Sequence, residues 1–266
     1  MAQRNRWLAG GVLSIMCYVG CNSVPDAWQG KWVDMSYPFD STTIYWPTEE
    51  GFLLQKEAEG LTPKGYFYAA NRFTCAEHGG THMDAPYHFS ADGQTTDKIP
   101  LDKLFGPGVV IDVSAECENN PNFQIPASAL QNWEIKHNTR LDGKMVLFRT
   151  GYGKYWPNRK QYLGTEEKGP NAVLQLHFPG LHPEAARWLA TERTPKAVGL
   201  DTASIDFGQS TLFESHVALL GRNIPVLENV ASLDQLPEEG FRLLAFPMNI
   251  KGGSGGPVRI AAFLPN

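Results

Sequence analysis

Cysteine is scarce in this chain. Of four in 266 residues, two, Cys17 and Cys21, fall in the first 21 positions. The remaining pair, Cys75 and Cys117, is too small a set for a disulfide-stapled scaffold or a thiolate zinc site. Both are expected as free thiols, though an oxidising compartment would permit one disulfide between them. Basic clusters are missing too. Lysine and arginine number 23 against 28 acidic residues, a formal charge of −5, which argues against a nucleic-acid partner. The apolar run from Trp7 to Val19 falls short of the ~20 residues a spanning helix needs. No internal repeat and no low-complexity linker interrupts the chain, so one domain is expected.

The short apolar run has another use. Arg4 and Arg6 precede it and Gly20-Cys21 follows it, the layout of an export signal. Tyr18-Val-Gly-Cys21 has the form of a bacterial lipobox, with Tyr18 where Leu is usual. The expectation is a leader over residues 1–20, Cys21 as the lipidated first residue, and an exported protein held at the periplasmic or outer cell surface by that lipid. Cleavage to a soluble secreted form is the rival. Loss of residues 1–20 removes both leader arginines, takes the charge to −7 and leaves 246 residues, residues 21–266, for the domain.

Histidine is also rare, seven in all, yet His78, His82 and His88 fall with Asp84 inside eleven residues. Imidazole and carboxylate together suit a divalent metal. A straight strand would separate His78 and His82 by about 13 Å at ~3.3 Å per residue, beyond the reach of one ion. Gly79-Gly80 and Pro86 disfavour a helix. The spacing therefore predicts a strand that enters at Phe73, a turn at Gly79-Gly80 that folds His78 back, and an extended piece bearing His82 and Asp84. His88 arrives beyond Pro86, free to work on a proton.

The segment His78-Gly-Gly-Thr-His82-Met-Asp84-Ala-Pro86-Tyr-His88 resembles the signature of the cyclase-like metal hydrolases, a group that includes bacterial kynurenine formamidase and isatin hydrolase. The resemblance continues through Trp46-Pro47, the stretch from Gly199 to Asp206, His216-Val-Ala-Leu-Leu220, Leu227-Glu228-Asn229 and the glycine-rich stretch from Gly252 to Arg259. It implies a swivelling β/β/α architecture and a ligand set of His78, His82, Asp84, His216 and Glu228 around one or two ions, with Asp84 or Glu228 bridging. It also implies Trp46 as a wall of the substrate pocket, and a homodimer. On residue grounds alone, His216 precedes an apolar run and Glu228 follows one. A carboxylate placed there is costly unless paired or metal-bound, although an exposed histidine and an ordinary strand-end glutamate fit as well. Asp201, at the end of an expected strand, could hold a ligand histidine by a hydrogen bond or could cap a turn.

The rest of the chain reads as strands with few helices. Strands are expected near residues 32–40, 66–75, 109–113, 144–149, 197–200, 224–227, 243–248 and 258–264, from apolar or alternating runs bounded by glycine, proline and charge. Helices are expected at 126–133 and 183–193, each opened by a proline. Residues 213–220 are helical or irregular. The fold class is a single, strand-rich mixed α/β domain. His137, His177 and His182 are expected to be structural or exposed.

These residues suit amide hydrolysis. A divalent ion lowers the pKa of a bound water to ~7 and polarises the carbonyl, and His88 can carry the proton. Manganese and zinc both fit the ligand types. The aromatic lining suits a small aryl or cyclic amide, and export favours the isatin-hydrolase branch over a cytoplasmic formamidase step. A serine hydrolase is excluded: Gly252-Gly-Ser254-Gly-Gly256 matches the nucleophile elbow in letters, but no Asp or His follows it. The remaining rival is a non-catalytic, metal-binding exported lipoprotein, for which His88 would have no use.

Overall fold

The structure, a computed structural model, describes residues 29–266. The expected leader and the lipidation site at Cys21 lie outside the described residues.

The apolar runs become twelve strands among these residues. They are β1 (Gly30–Asp34), β2 (Leu53–Leu61), β3 (Phe67–Thr74), β4 (His82–Asp84), β5 (Phe105–Asp112) and β6 (Gln124–Ile125), then β7 (Met145–Arg149), β8 (Gly180–Leu181), β9 (Ala197–Leu200), β10 (Val226–Glu228), β11 (Phe241–Pro247) and β12 (Gly255–Pro265). Eight of them form one sheet in the order β1-β12-β11-β5-β7-β9-β10-β4. β4 pairs in addition with the first residues of β12, so seven strands close into a barrel and β1 extends it. β12 makes this possible by its length: residues 255–257 pair with β4, and residues 258–263 pair with β11.

Within the barrel β5, β7, β9 and β10 run parallel. Their runs are almost continuously apolar because both faces are buried, as a parallel arrangement requires. Val110, Met145, Leu147 and Leu227 point inward to a core shared with Met83, Leu243 and Ile260. Val109, Ile111, Val146, Phe148, Val198 and Val226 point to a second core. Helices cover that outer side. They are α1 (Ser114–Cys117), α2 (Ala127–His137), α3 (Arg159–Leu163), α4 (Pro170–Val173), α5 (Pro183–Trp188) and α6 (Glu214–Leu220). α2, α5 and α6 supply Leu130, Ala185, Ala186 and Leu219 to the outer core.

This is the strand-rich mixed α/β domain expected from the sequence, with local differences. α2 starts one residue after Pro126, which sits extended at the cap, and runs on to His137. α5 does begin with Pro183, but its expected second half is a wider π-helical turn over Leu189–Arg193. Arg193 ends it in an ion pair with Glu134 of α2 at 2.7 Å. The run near residues 66–75 is a strand, but β3 pairs only with β2 in a hairpin outside the barrel. Cys75 and Cys117 are free thiols. No described helix is long and apolar enough to cross a membrane.

Candidate metal centre

The site grows from β4, a strand of three buried residues held on both edges. Its register sets His82 opposite Glu228 of β10 and Asp84 opposite Gly255 of β12. His82 and Asp84, two residues apart, share a face, and a directly opposed residue joins them on it. Pairing thus brings Glu228 beside two residues that lie 144 and 146 positions earlier. His78 is folded back as expected by the turn at Gly79-Gly80, with Gly80 at φ 57°. A side chain at Gly255 would meet the His78 ring at 2.4 Å, so glycine leaves the space His78 occupies. His216 comes from α6. The carboxylate of Asp206 accepts from the backbone amides of Ser215 and His216 at 2.9 and 3.2 Å and from His216 Nδ1 at 2.7 Å, capping the helix and aiming the ring together.

The hydrogen-bond partners decide the tautomer of each histidine. His82 Nδ1 faces the carbonyl of Gly80 at 3.0 Å, an acceptor only, so Nδ1 carries the hydrogen and Nε2 the lone pair. His216 Nδ1 donates to Asp206, so again Nε2 carries the lone pair. Ser254 Oγ donates to Glu77 at 2.5 Å and therefore accepts from His78 Nε2 at 2.9 Å, which leaves the lone pair on Nδ1. The three free nitrogens then face carboxylate oxygens. His78 Nδ1 is 2.7 Å and His82 Nε2 3.2 Å from Asp84 Oδ1; His216 Nε2 is 3.2 Å from Asp84 Oδ2 and 3.1 Å from Glu228 Oε1; His82 Nε2 is 3.4 Å from Glu228 Oε2. Lone pairs against anions repel unless a cation or a proton lies between them.

The donors fall into two groups, His78 with His82 and Asp84, and Asp84 with His216 and Glu228. Asp84 belongs to both, one oxygen to each. Hard oxygens and borderline nitrogens at this spacing fit one or two divalent ions. Without a metal, protons take its place. Burial pulls His82 down, but Asp84 and Glu228 outweigh it and hold the ring up at about 10. Burial likewise opposes charging of His216, and hydrogen bonds to Asp206, Asp84 and Glu228 overcome it. Burial would raise Asp84, yet the charge of His82 and the bonds from all three rings hold it well below the usual carboxylate range.

His88 stands apart. Its ring stacks on His78 with centroids 3.7 Å apart, and burial, with the neighbouring His78 and His216, pushes it down to about 4. It is neutral at neutral pH and able to accept a proton. A cavity of about 580 Å³ opens over the cluster, with Trp46, Phe89 and Phe213 among its walls. Trp46 lies edge-on to Phe213 at 6.3 Å, and Phe89 lies parallel to the His216 ring at 4.7 Å. Phe213 holds a left-handed φ of 48°, uncommon for a bulky residue, and so turns its ring into the cavity at the start of α6.

Asp201 does not hold a ligand histidine. Its carboxylate accepts from Thr150 N and Oγ1 at 2.8 and 2.6 Å and from Gly151 N at 3.0 Å, which closes the turn after β7. The orienting carboxylate is Asp206, five residues on. Of the other histidines, His182 caps α5, His177 bonds Asn122, and His137 pairs with Glu238 and Glu239. Ser254 and Glu77 were not anticipated as supports of His78. The serine–histidine–aspartate contact they create is no nucleophilic triad, because the Ser254 proton goes to Glu77 and the His78 nitrogen beside it is a donor. Asn229, also left-handed at φ 52°, braces the turn by donating to Gly80 O at 2.7 Å.

Residues 33–207 match the model of the family described as "Putative cyclase". The chain is 33% identical over 210 residues to an isatin hydrolase of Roseibium aggregatum, which covers 76% of this chain and 77% of that protein. It is 34% identical over 185 residues to a kynurenine formamidase of Salinibacter ruber, covering 68% and 74%. Among solved structures, isatin hydrolase A from Labrenzia aggregata superposes with a TM-score of 0.79 at 31% identity, over 89% of this chain and 94% of that one.

Proposed function

This chain belongs to the cyclase family, and from that premise and the geometry of the cluster we propose that it is a metal-dependent hydrolase of a small cyclic or aryl amide. The observation that carries this reading is the convergence of three histidine lone pairs on two buried carboxylates, under a cavity walled by aromatic rings. The names of the relatives, isatin hydrolase and kynurenine formamidase, point to the same class of C–N bond.

The ion, manganese or zinc, would be held by His78, His82, Asp84, His216 and Glu228; when bound it acidifies water and polarises a carbonyl. The chain's own residues do the rest. Trp46, Phe89 and Phe213 offer flat apolar surface to an aryl ring and exclude bulk water from one side of it. His88, neutral and beside the cluster, accepts the proton of the attacking water and passes it to the leaving nitrogen. Bond cleavage thereby yields a carboxylate and an amine. A pure binding site would not need this fourth histidine. The same reading takes the chain as an exported lipoprotein anchored at Cys21, facing the periplasm or the cell surface, and as a homodimer.

The test is turnover of isatin and of N-formylkynurenine by protein stripped of metal and then loaded with manganese or zinc. Metal-dependent loss of one substrate is expected, with isatin favoured. Stoichiometric metal uptake with no turnover of either would overturn the amide-hydrolase reading.

A further inference from the structure

The cavity over the cluster has more room than a reacting amide needs. At about 580 Å³ it lies within the ~300–1,000 Å³ of sites that take drug-sized ligands, which leaves space for a substituent beyond the ring that carries the amide. The charges in its walls are one-sided. Glu49, Glu77, Asp84 and Glu228 line it, and no lysine or arginine does. One divalent ion would balance Asp84 and Glu228, and a second would bring the four carboxylates only to neutrality. Arg159 is not among the lining residues. Its guanidinium donates to the backbone carbonyls of Tyr45 and Glu167 at 3.1 and 3.4 Å.

The four acids are not equivalent. Asp84 and Glu228 face the histidines of the cluster, and Glu77 accepts from Ser254 N and Oγ at 3.0 and 2.5 Å. Glu49 alone has no side-chain hydrogen bond or ion pair with another described residue. It is exposed, and it stands three residues past Trp46 in a turn that its own amide closes by donating to Trp46 O at 3.0 Å. A free carboxylate thus sits at the outer edge of an aromatic wall. Tyr45 adds a second open group. It lines the same cavity and is 3% exposed, and its hydroxyl has no hydrogen-bond partner beyond the weak one that the Cys75 thiol offers. A buried polar atom left in that state is costly, and an N–H of a ligand can complete it.

Aromatic rings beside a carboxylate without a counter-charge recognise an amine. An ammonium group is attracted to the faces of Trp, Tyr and Phe, and it donates to a carboxylate in a charge-assisted bond. A carboxylate on the ligand would meet only like charge here. We propose that the outer part of this cavity is an ammonium subsite, with Glu49 as its specificity-determining residue and Trp46 and Tyr45 beside it, so that the substrate is a small aryl amide with an amino group away from the scissile bond and no carboxylate. The scissile amide rests on the function proposed above; the subsite rests on the cavity's own groups. An uncharged substrate such as isatin would enter without using it.

The test uses the full chain, loaded with manganese, and three formanilides that differ only in the para substituent: aminomethyl, hydrogen and carboxylate. kcat/KM should fall in that order, by ~10-fold between cation and anion. The difference should lie in KM and shrink at high salt. Glu49→Gln should lower the cation-to-anion ratio several-fold, and Glu49→Lys should bring it to one or below. Equal values for the three substrates, a preference for the anion, or a ratio indifferent to both substitutions would overturn the subsite. Calorimetry separates the subsite from the chemistry. Benzylamine should bind the wild-type protein more tightly than benzyl alcohol does, and should bind Glu49→Gln several-fold more weakly. If no formanilide is hydrolysed but this difference holds, the ammonium subsite stands and the amide reading falls. Equal benzylamine binding by the two proteins would overturn the subsite.

Discussion

The two halves of the metal cluster are built differently. His78, His82 and Asp84 come from seven consecutive residues, and the His78 side chain remains 22% exposed. His216 and Glu228 come from a helix and a strand more than 130 residues away, and their side chains are 5% and 6% exposed. The near half is a turn bearing His78 that runs into β4, so its ligands stand close together along the chain. The far half exists only once the barrel has brought α6 and β10 beside β4. Loss of the partly exposed His78 should therefore cost mainly metal, and loss of a far-half ligand metal together with folding stability.

Asp84 belongs to both halves, so Asp84→Asn should erase the contrast: turnover falls below detection and elemental analysis finds no retained metal. His88 belongs to neither. His88→Ala is expected to keep its metal and lose about 10²–10⁴-fold in kcat, the usual worth of a positioned acid–base group; unchanged kcat would remove His88 from the reaction. The contrast itself is tested by urea unfolding. His216→Ala removes the ring donor of the buried Asp206 carboxylate, leaving it only backbone amides, and should cost about 1–3 kcal/mol. His78→Ala removes a partly exposed ring, while Asp84 keeps its contacts with His82 and His216, and should cost no more than ~1 kcal/mol. Equal losses would show that the halves are not distinct. Orienting groups come next: Asp206→Asn should weaken metal binding by about 10–100-fold, and Ser254→Ala, at the more open ring, by less.

The smallest expected effect lies outside the cluster. Burial opposes the charging of His137, but its bonds to Glu239 and Glu238 outweigh this and raise it. A raised histidine stabilises fully below its unfolded pKa of ~6.5, and the stabilisation is lost as pH rises through the folded value. Glu238 is lowered, by Lys136 first, so its share is lost as pH falls through its folded pKa. The melting temperature of His137→Gln should thus fall below wild type by more at pH 6 than at pH 9, by an amount worth less than ~1 kcal/mol.

The near half was readable because its ligands are adjacent, and a density of rare residue types needs no knowledge of the fold. The far half was reachable only through family resemblance, since strand register pairs Glu228 with His82 and no local pattern announces register. Asp201 and Asp206 show the limit at the finest scale. Both follow β9 within a few residues, and only the path of the turn decides that Asp206 meets His216 while Asp201 meets Thr150. Most barrel strands were legible as apolar runs. The hairpin's isolation was not, because β3 has the composition of a strand wherever it sits and nothing within it names its partner.

β12 also sets a schedule. The strand that zips β4 into the sheet begins 171 residues after β4 ends. A polypeptide emerging from its N-terminus displays the histidine loop early and must wait for residues 254–257 before β4 gains its second edge and Ser254 reaches His78. Until those residues are made, the near half lacks both the second edge of β4 and the hydroxyl that orients the His78 ring.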